Sequence, residues 1–177
     1  MKQTMACWQA AGFLFAAIFG TFLHFLFDLT GHSRIVALFS AVNESIWEHM
    51  KLVYYPMFLF ALVERRFAGK GCKRFWCVKL LGILLGLALI PAIYYTYTGI
   101  LGISADWFNI AIFFIAAGVA FWSETQLLIN AYTCRLSSNV AFFIICLIGV
   151  FFTVFTFLTP QIPFFQDPVT DTYGFQQ

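Results

Sequence analysis

His24 and Asp28 stand four residues apart, Glu44 and Glu48 repeat that interval, and His49 follows directly. On a helix, residues four apart share a face. Imidazole and carboxylate groups converging from two helices suit a divalent metal such as zinc, iron or manganese. The same groups could serve as general acid and base around a bound ligand. A third arrangement needs no ligand: His24 bonds Glu48 or Asn43 while Lys51 neutralises Glu44, and the network joins two helices. Neither HxxxH nor HExxH occurs. Spacing therefore leaves a metal or catalytic site, a ligand or proton pathway and a structural network all open.

The surrounding chain has little other polarity. Of 177 residues, 62% are hydrophobic and 10% charged, and mean hydropathy is +0.85. Soluble domains carry charge on about a quarter of their residues, so the solvent here must be a bilayer. A net charge of +2, with no basic run interleaved with aromatics, excludes nucleic acid as a partner. Five cysteines without a CxxC pair indicate neither a disulfide framework nor a zinc ribbon.

A membrane-spanning helix needs about 20 mostly apolar residues. The predicted spans are 7–29, 44–63, 75–97, 106–131 and 140–158, in one integral membrane domain over 1–177. The first is too long for the apolar core of a signal peptide and only Lys2 precedes it, so it reads as a retained span. Ser33 could cap a short helix in "SRIVALFSAV", which would lie in the outer interface or re-enter partway. Asn43 would cap the second span, with Glu44 in its first turn. Pro56 and Pro91 fall inside spans and are expected to kink them. The tail 159–177 is too rich in proline for a helix, and its aromatics could fold it over the external mouth as a lid.

Lys2, Arg65, Arg66, Lys70, Lys73, Arg74, Lys79 and Arg135 are eight of the ten basic residues, and the span pattern puts them on one side. That side is expected to be cytoplasmic, in a multi-pass protein of the cell membrane with its amino terminus inside and carboxyl terminus outside. His24, Asp28, Glu44, Glu48 and His49 then meet at the external end. Asn43, Ser45, Lys51 and Asp106 support them, and Glu48 is expected to turn inward toward His24. Glu124 interrupts the fourth span near its inner end and is expected to pair with Arg135 or Lys79. A polar path from Glu124 and Asn130 to the outer cluster would instead mark a transporter, which at this size would need to form a homodimer.

The runs "HFLFDLTGHS", "AVNESIWEHMKLVYYP" and "PQIPFFQDPVTDTYGF" resemble an uncharacterised prokaryotic family of small multi-pass membrane proteins, a domain of unknown function. The likeness covers essentially the whole chain and rests on an NES-W-EH-KL motif and a tail like P-L-F-x-D-x-x-T-G-T-Y-G. Asp171 stands where the tail pattern has glycine, which puts the turn there in question. The family implies no activity. "NESIWEH" is also similar to the N-E-x-x-N-I-W-x-H signature of the adiponectin-receptor and alkaline-ceramidase superfamily, onto which Asn43, Glu44, Trp47 and His49 would map. The motif here is two residues shorter, five spans replace seven, and the paired zinc histidines are missing. That likeness implies a zinc-dependent hydrolase acting on a lipid.

The sequence thus specifies an all-α polytopic membrane protein. It has five spans, one short interfacial or re-entrant helix, and an external polar pocket for a divalent metal, a lipid or a small polar ligand.

Overall fold

The computed structural model describes residues 2–69, 72–130 and 132–176, and the side chains of Lys2 and Asp106 also lie outside the described set. Lys70 of the basic connection and Ala131 at the end of the fourth predicted span therefore lie outside it too. The described residues form α1 (Lys2–Leu29), α2 (Arg34–Ala37), α3 (Ile46–Phe67), α4 (Phe75–Leu101), α5 (Asp106–Ile129) and α6 (Ser138–Phe157). A 3-10 turn at Pro163–Phe165 follows, and among these residues there is no strand.

Among the described residues, four helices are long and apolar enough to cross a membrane: Gln3–Leu29, Phe75–Leu101, Trp107–Ile129 and Ser138–Phe157. They fit a multi-pass membrane protein in contact with lipid. Helix α3 has comparable length at 22 residues but carries Glu48, Lys51, Glu64, Arg65 and Arg66. Its place in the bundle explains how it tolerates them. It packs against α1, α4, α5 and α6, which contact one another in the order α1–α5–α4–α6 around it. Glu48, Lys51 and Glu64 are buried, at 1%, 0% and 0% exposure. The most polar long helix sits at the centre, and Glu48, Lys51 and Glu64 face protein, where hydrogen-bonding partners exist, while Arg66 at its basic end is exposed. Apolar side chains such as Ile18, Leu147 and Val150 face outward instead.

Helices cross closely where side chains are small. A Cβ added to Gly20 on α1 would lie 2.6 Å from the Leu52 carbonyl of α3 and from the Phe113 ring of α5. Pro56 has no N–H to donate to that carbonyl four residues back, and α3 nevertheless runs on through it, as α4 does through Pro91. On α4, a Cβ at Gly82 would lie 2.3 Å from Glu124 Oε1. Glycine there makes room for a carboxylate against the helix backbone.

The connections depart from expectation in three places. Ser33 occupies the N-cap position of α2 but makes no side-chain cap bond, and the helix is a single turn. Ser45, not Asn43, caps α3: its hydroxyl accepts from the Glu48 backbone N–H at 3.3 Å. The Asn43 carboxamide instead braces this loop, accepting from Ser45 N at 3.0 Å and donating to the Gly174 carbonyl at 3.2 Å. Cys77 and Cys134 form a disulfide pair with their Cα atoms 6.4 Å apart. Lying 57 residues apart outside any cysteine motif, they gave no pairing signal; the packing of the α5–α6 connection against α4 brings them together.

The carboxyl-terminal segment folds back on the bundle. Phe175 N donates to the Thr156 carbonyl at 2.9 Å, and Phe165 packs 4.9 Å from Trp47, ring to ring. Asp167 organises the turn, accepting from Val169 N at 2.8 Å and the Thr170 hydroxyl at 2.9 Å. Asp171 adopts φ 56°. Aspartate tolerates the left-handed region better than most residues, so the turn keeps a backbone that glycine would favour.

Candidate metal and ligand site

Three of the predicted site residues converge. His24 on α1, Glu44 before α3 and His49 in the second turn of α3 each offer a ligand atom, all within 4.8 Å of one another. Glu44 Oε1 lies 3.8 Å from His24 Nε2, and Glu44 Oε2 lies 3.4 Å from His49 Nε2. The two imidazole centroids are 5.5 Å apart. His24 and His49 are half-buried, with side chains 28% and 23% exposed, and Glu44 is 47% exposed.

The local backbone places them. Ser45 is in extended conformation, so Glu44 lies outside the helix and does not follow its rotation. His49 Nδ1 is 3.0 Å from the Ser45 carbonyl. A carbonyl can only accept, so Nδ1 donates to it and Nε2 is the ring nitrogen turned toward Glu44. Backbone-carbonyl support of the distal ring nitrogen is the usual arrangement of a metal-binding histidine. His24 Nδ1 is buried without a hydrogen-bond partner among the described residues.

Glu48 and Asp28 do not join this group, and the expected turn of Glu48 toward His24 is corrected. Glu48 Oε2 is 2.5 Å from Lys51 Nζ and accepts from Val42 N at 3.0 Å, while Oε1 lies 2.8 Å from the Thr156 hydroxyl of α6. Lys51 also donates to the Ala37 carbonyl at 3.0 Å. Thus Lys51 neutralises Glu48 and not Glu44. The helix starts at Ile46, so the interval from Glu44 to Glu48 is not a helical one and the two carboxylates part. Asp28 lies at the exposed end of α1, 3.2 Å from His32 Nε2. His32 itself was no part of the predicted site.

A cavity of about 560 Å³ adjoins the triad. His24, Glu44 and His49 line one part of it, and Tyr94, Ser104 and Asn109 supply its other larger polar groups. Ile90, Ile112 and Phe113 contribute apolar wall, and Pro168 and Val169 of the tail also line it. Asn109 is fixed by the Tyr97 hydroxyl, which donates to its Oδ1, while its Nδ2 donates to Ser104 at 3.1 Å.

A second polar group lies at the opposite end of α3. Lys79 Nζ sits 2.6 Å from Glu64 Oε2 and also pairs with Glu124. Gln9 donates to Glu64 at 2.6 Å and accepts from Lys79 at 3.2 Å. Glu124 was expected to pair with Arg135 or Lys79, and it pairs with Lys79. All four side chains are buried, between 0% and 2% exposed, and they join α1, α3, α4 and α5. Gln9 was not singled out from sequence; a lone carboxamide within an apolar span was the available signal. Neither Glu124 nor Asn130 lines the cavity beside the triad.

The family "Family of unknown function (DUF6512)" matches residues 1–175. The chain belongs to that family. No curated protein and no solved structure matches the chain. The DUF6512 assignment agrees with the resemblance read from the NES-W-EH-KL run and the tail, and it brings no activity with it.

Proposed function

We propose that this DUF6512 protein binds one divalent metal through His24, Glu44 and His49 and presents it to the adjoining cavity at the external end of the bundle. The observation that carries the reading is the direction of the donor atoms. Two imidazole Nε2 atoms flank one carboxylate at 3.4 and 3.8 Å. The Ser45 carbonyl accepts from His49 Nδ1 and so leaves Nε2 turned toward Glu44. A neutral imidazole offers a lone pair there, and one divalent cation would satisfy both Nε2 atoms and the carboxylate together. Tetrahedral ligands about 2.1 Å from zinc lie roughly 3.4 Å apart; here the histidine contacts run to different carboxylate oxygens and the three ligand atoms lie within 4.8 Å of one another, so a small inward shift would seat an ion. Two histidines and a glutamate form a known three-ligand zinc set that leaves a fourth position open.

Helix α3 is then the fifth span, carried through the bilayer by its four neighbours. The basic residues favour a cytoplasmic position for their end, with the triad outside, as in a protein of the cell membrane. The Cys77–Cys134 pair lies at the basic end, where Cys77 is 1% exposed and shielded from soluble thiols. A zinc-dependent hydrolase is the second reading, favoured by a three-ligand set beside a largely apolar cavity. Zinc supplied there would lower the pKa of a bound water to about 7.

Protein purified in detergent without chelator and analysed by inductively coupled plasma mass spectrometry should carry close to one zinc, iron or manganese per chain. Well-folded protein that stays metal-free after incubation with each ion would overturn the reading.

A further inference from the structure

We infer that the cavity beside the triad is a lipid site: one acyl chain enters sideways from the bilayer between α1 and α5, and its oxygen-bearing head lies at the triad. This rests on the metal reading for the head, whereas the chain site rests on separate observations.

The first is the packing of α1 against α5. Gly12 meets Phe121, and Gly20 meets Phe113. The two pairs share one antiparallel register, which continued outward sets His24 opposite Asn109. No hydrogen bond joins those two residues, and both line the cavity. The helices that close tightly over their glycines therefore leave a space one turn further out. The second observation is the chemistry of the rim. Phe25 on α1 and Ile110 and Phe114 on α5 line the cavity and yet are 54%, 60% and 38% exposed. Large apolar side chains that border a cavity and also face outward mark a side opening toward hydrocarbon. A soluble ligand would have no use for that wall.

Depth agrees. His24 lies five residues before Leu29, the end of α1, or about 7.5 Å along the axis. That is near the boundary between acyl chains and headgroups. An ester, amide or carboxylate oxygen of a lipid reaches the triad there while its chain runs along Ile112 and Phe113. Tyr94, Ser104 and Asn109 offer hydrogen bonds on the other side. About 560 Å³ is within the usual range for a site that encloses one small ligand.

The test uses the full-length protein in nanodiscs with palmitic acid carrying a diazirine in its chain, followed by peptide mass spectrometry. Labelling should concentrate on the peptides holding Phe25 and Phe113–Phe114, and excess palmitate should suppress it. Thr21 on α1 also lines the cavity; Thr21→Trp and Ile110→Trp should obstruct the opening and lower that labelling roughly tenfold, while metal content, measured in parallel, stays at the wild-type value and shows the fold intact. Labelling spread over the outward face of α6 and indifferent to both tryptophans would overturn the lipid site and leave the metal reading standing. Cavity labelling that is unchanged in His24→Ala and in metal-stripped protein would overturn the assignment of the head to the triad.

Discussion

Lys79→Met should be the most destabilising single change in the inner half of the molecule. Among the described residues, Lys79 Nζ is the one cation held between Glu64 and Glu124, and all three side chains are buried. Breaking a buried ion pair by removing one partner costs about 3–5 kcal/mol, because the remaining charge has lost its compensation. Methionine fills much of the lysine volume, so little of the loss would come from a cavity. The rings of Phe75 and Phe121, 5.5 and 5.7 Å from Nζ, would remain packed but could not stabilise two carboxylates. Glu124→Gln keeps the Lys79–Glu64 pair and should cost much less, about 1–2 kcal/mol. Thermal unfolding in detergent, followed by intrinsic fluorescence, should therefore order the proteins as wild type, Glu124→Gln and Lys79→Met. Equal losses in the two variants would show that the ion pairs carry little of the stability.

The second large effect concerns the triad. His24→Ala, Glu44→Ala and His49→Ala should each weaken metal binding by about 100-fold or more, since even supporting residues outside the coordination sphere are worth 10- to 100-fold. Glu48→Gln is the informative contrast. Glu48 lies in the same sequence run, but its carboxylate is committed to Lys51, Val42 N and Thr156. Its replacement should lower the unfolding temperature and leave metal affinity close to wild type. Asp28→Ala should change neither, because Asp28 meets only exposed His32 at the end of α1. Competition titration with a chromogenic chelator measures all five variants on one scale. Metal affinity that fell in Glu48→Gln as far as in His49→Ala would mean that the wrong carboxylate has been assigned.

The contrast between Glu44 and Glu48 shows where sequence reasoning reached its limit. Apolar runs long enough to cross a bilayer are unmistakable, and α1, α4, α5 and α6 fall close to their predicted bounds. The four-residue interval between Glu44 and Glu48 invited a shared helical face. That inference required the helix to begin at Glu44, and Ser45 caps it from Ile46 instead. Moving a helix start by two residues is a small error for a span and a decisive one for a side chain. It takes Glu44 off the helix, gives Glu48 to Lys51 and leaves His49 as the second imidazole. His24 itself was legible as an ionisable group inside a span. So was a partner for Glu124, since a buried carboxylate needs a cation and Lys79 lies near the same end. The Cys77–Cys134 pair and the partners of Gln9 were not legible, because each depends on which helices become neighbours.

X-ray absorption at the zinc edge, on protein loaded with one equivalent of zinc, reads the ligand set of the triad directly. A four-coordinate spectrum of nitrogen and oxygen neighbours near 2.0–2.1 Å is expected, with outer-shell scattering from two imidazoles. In His49→Ala, that scattering should fall to one. A sulfur neighbour near 2.3 Å, or a spectrum unchanged in His49→Ala, would contradict the site proposed for His24, Glu44 and His49.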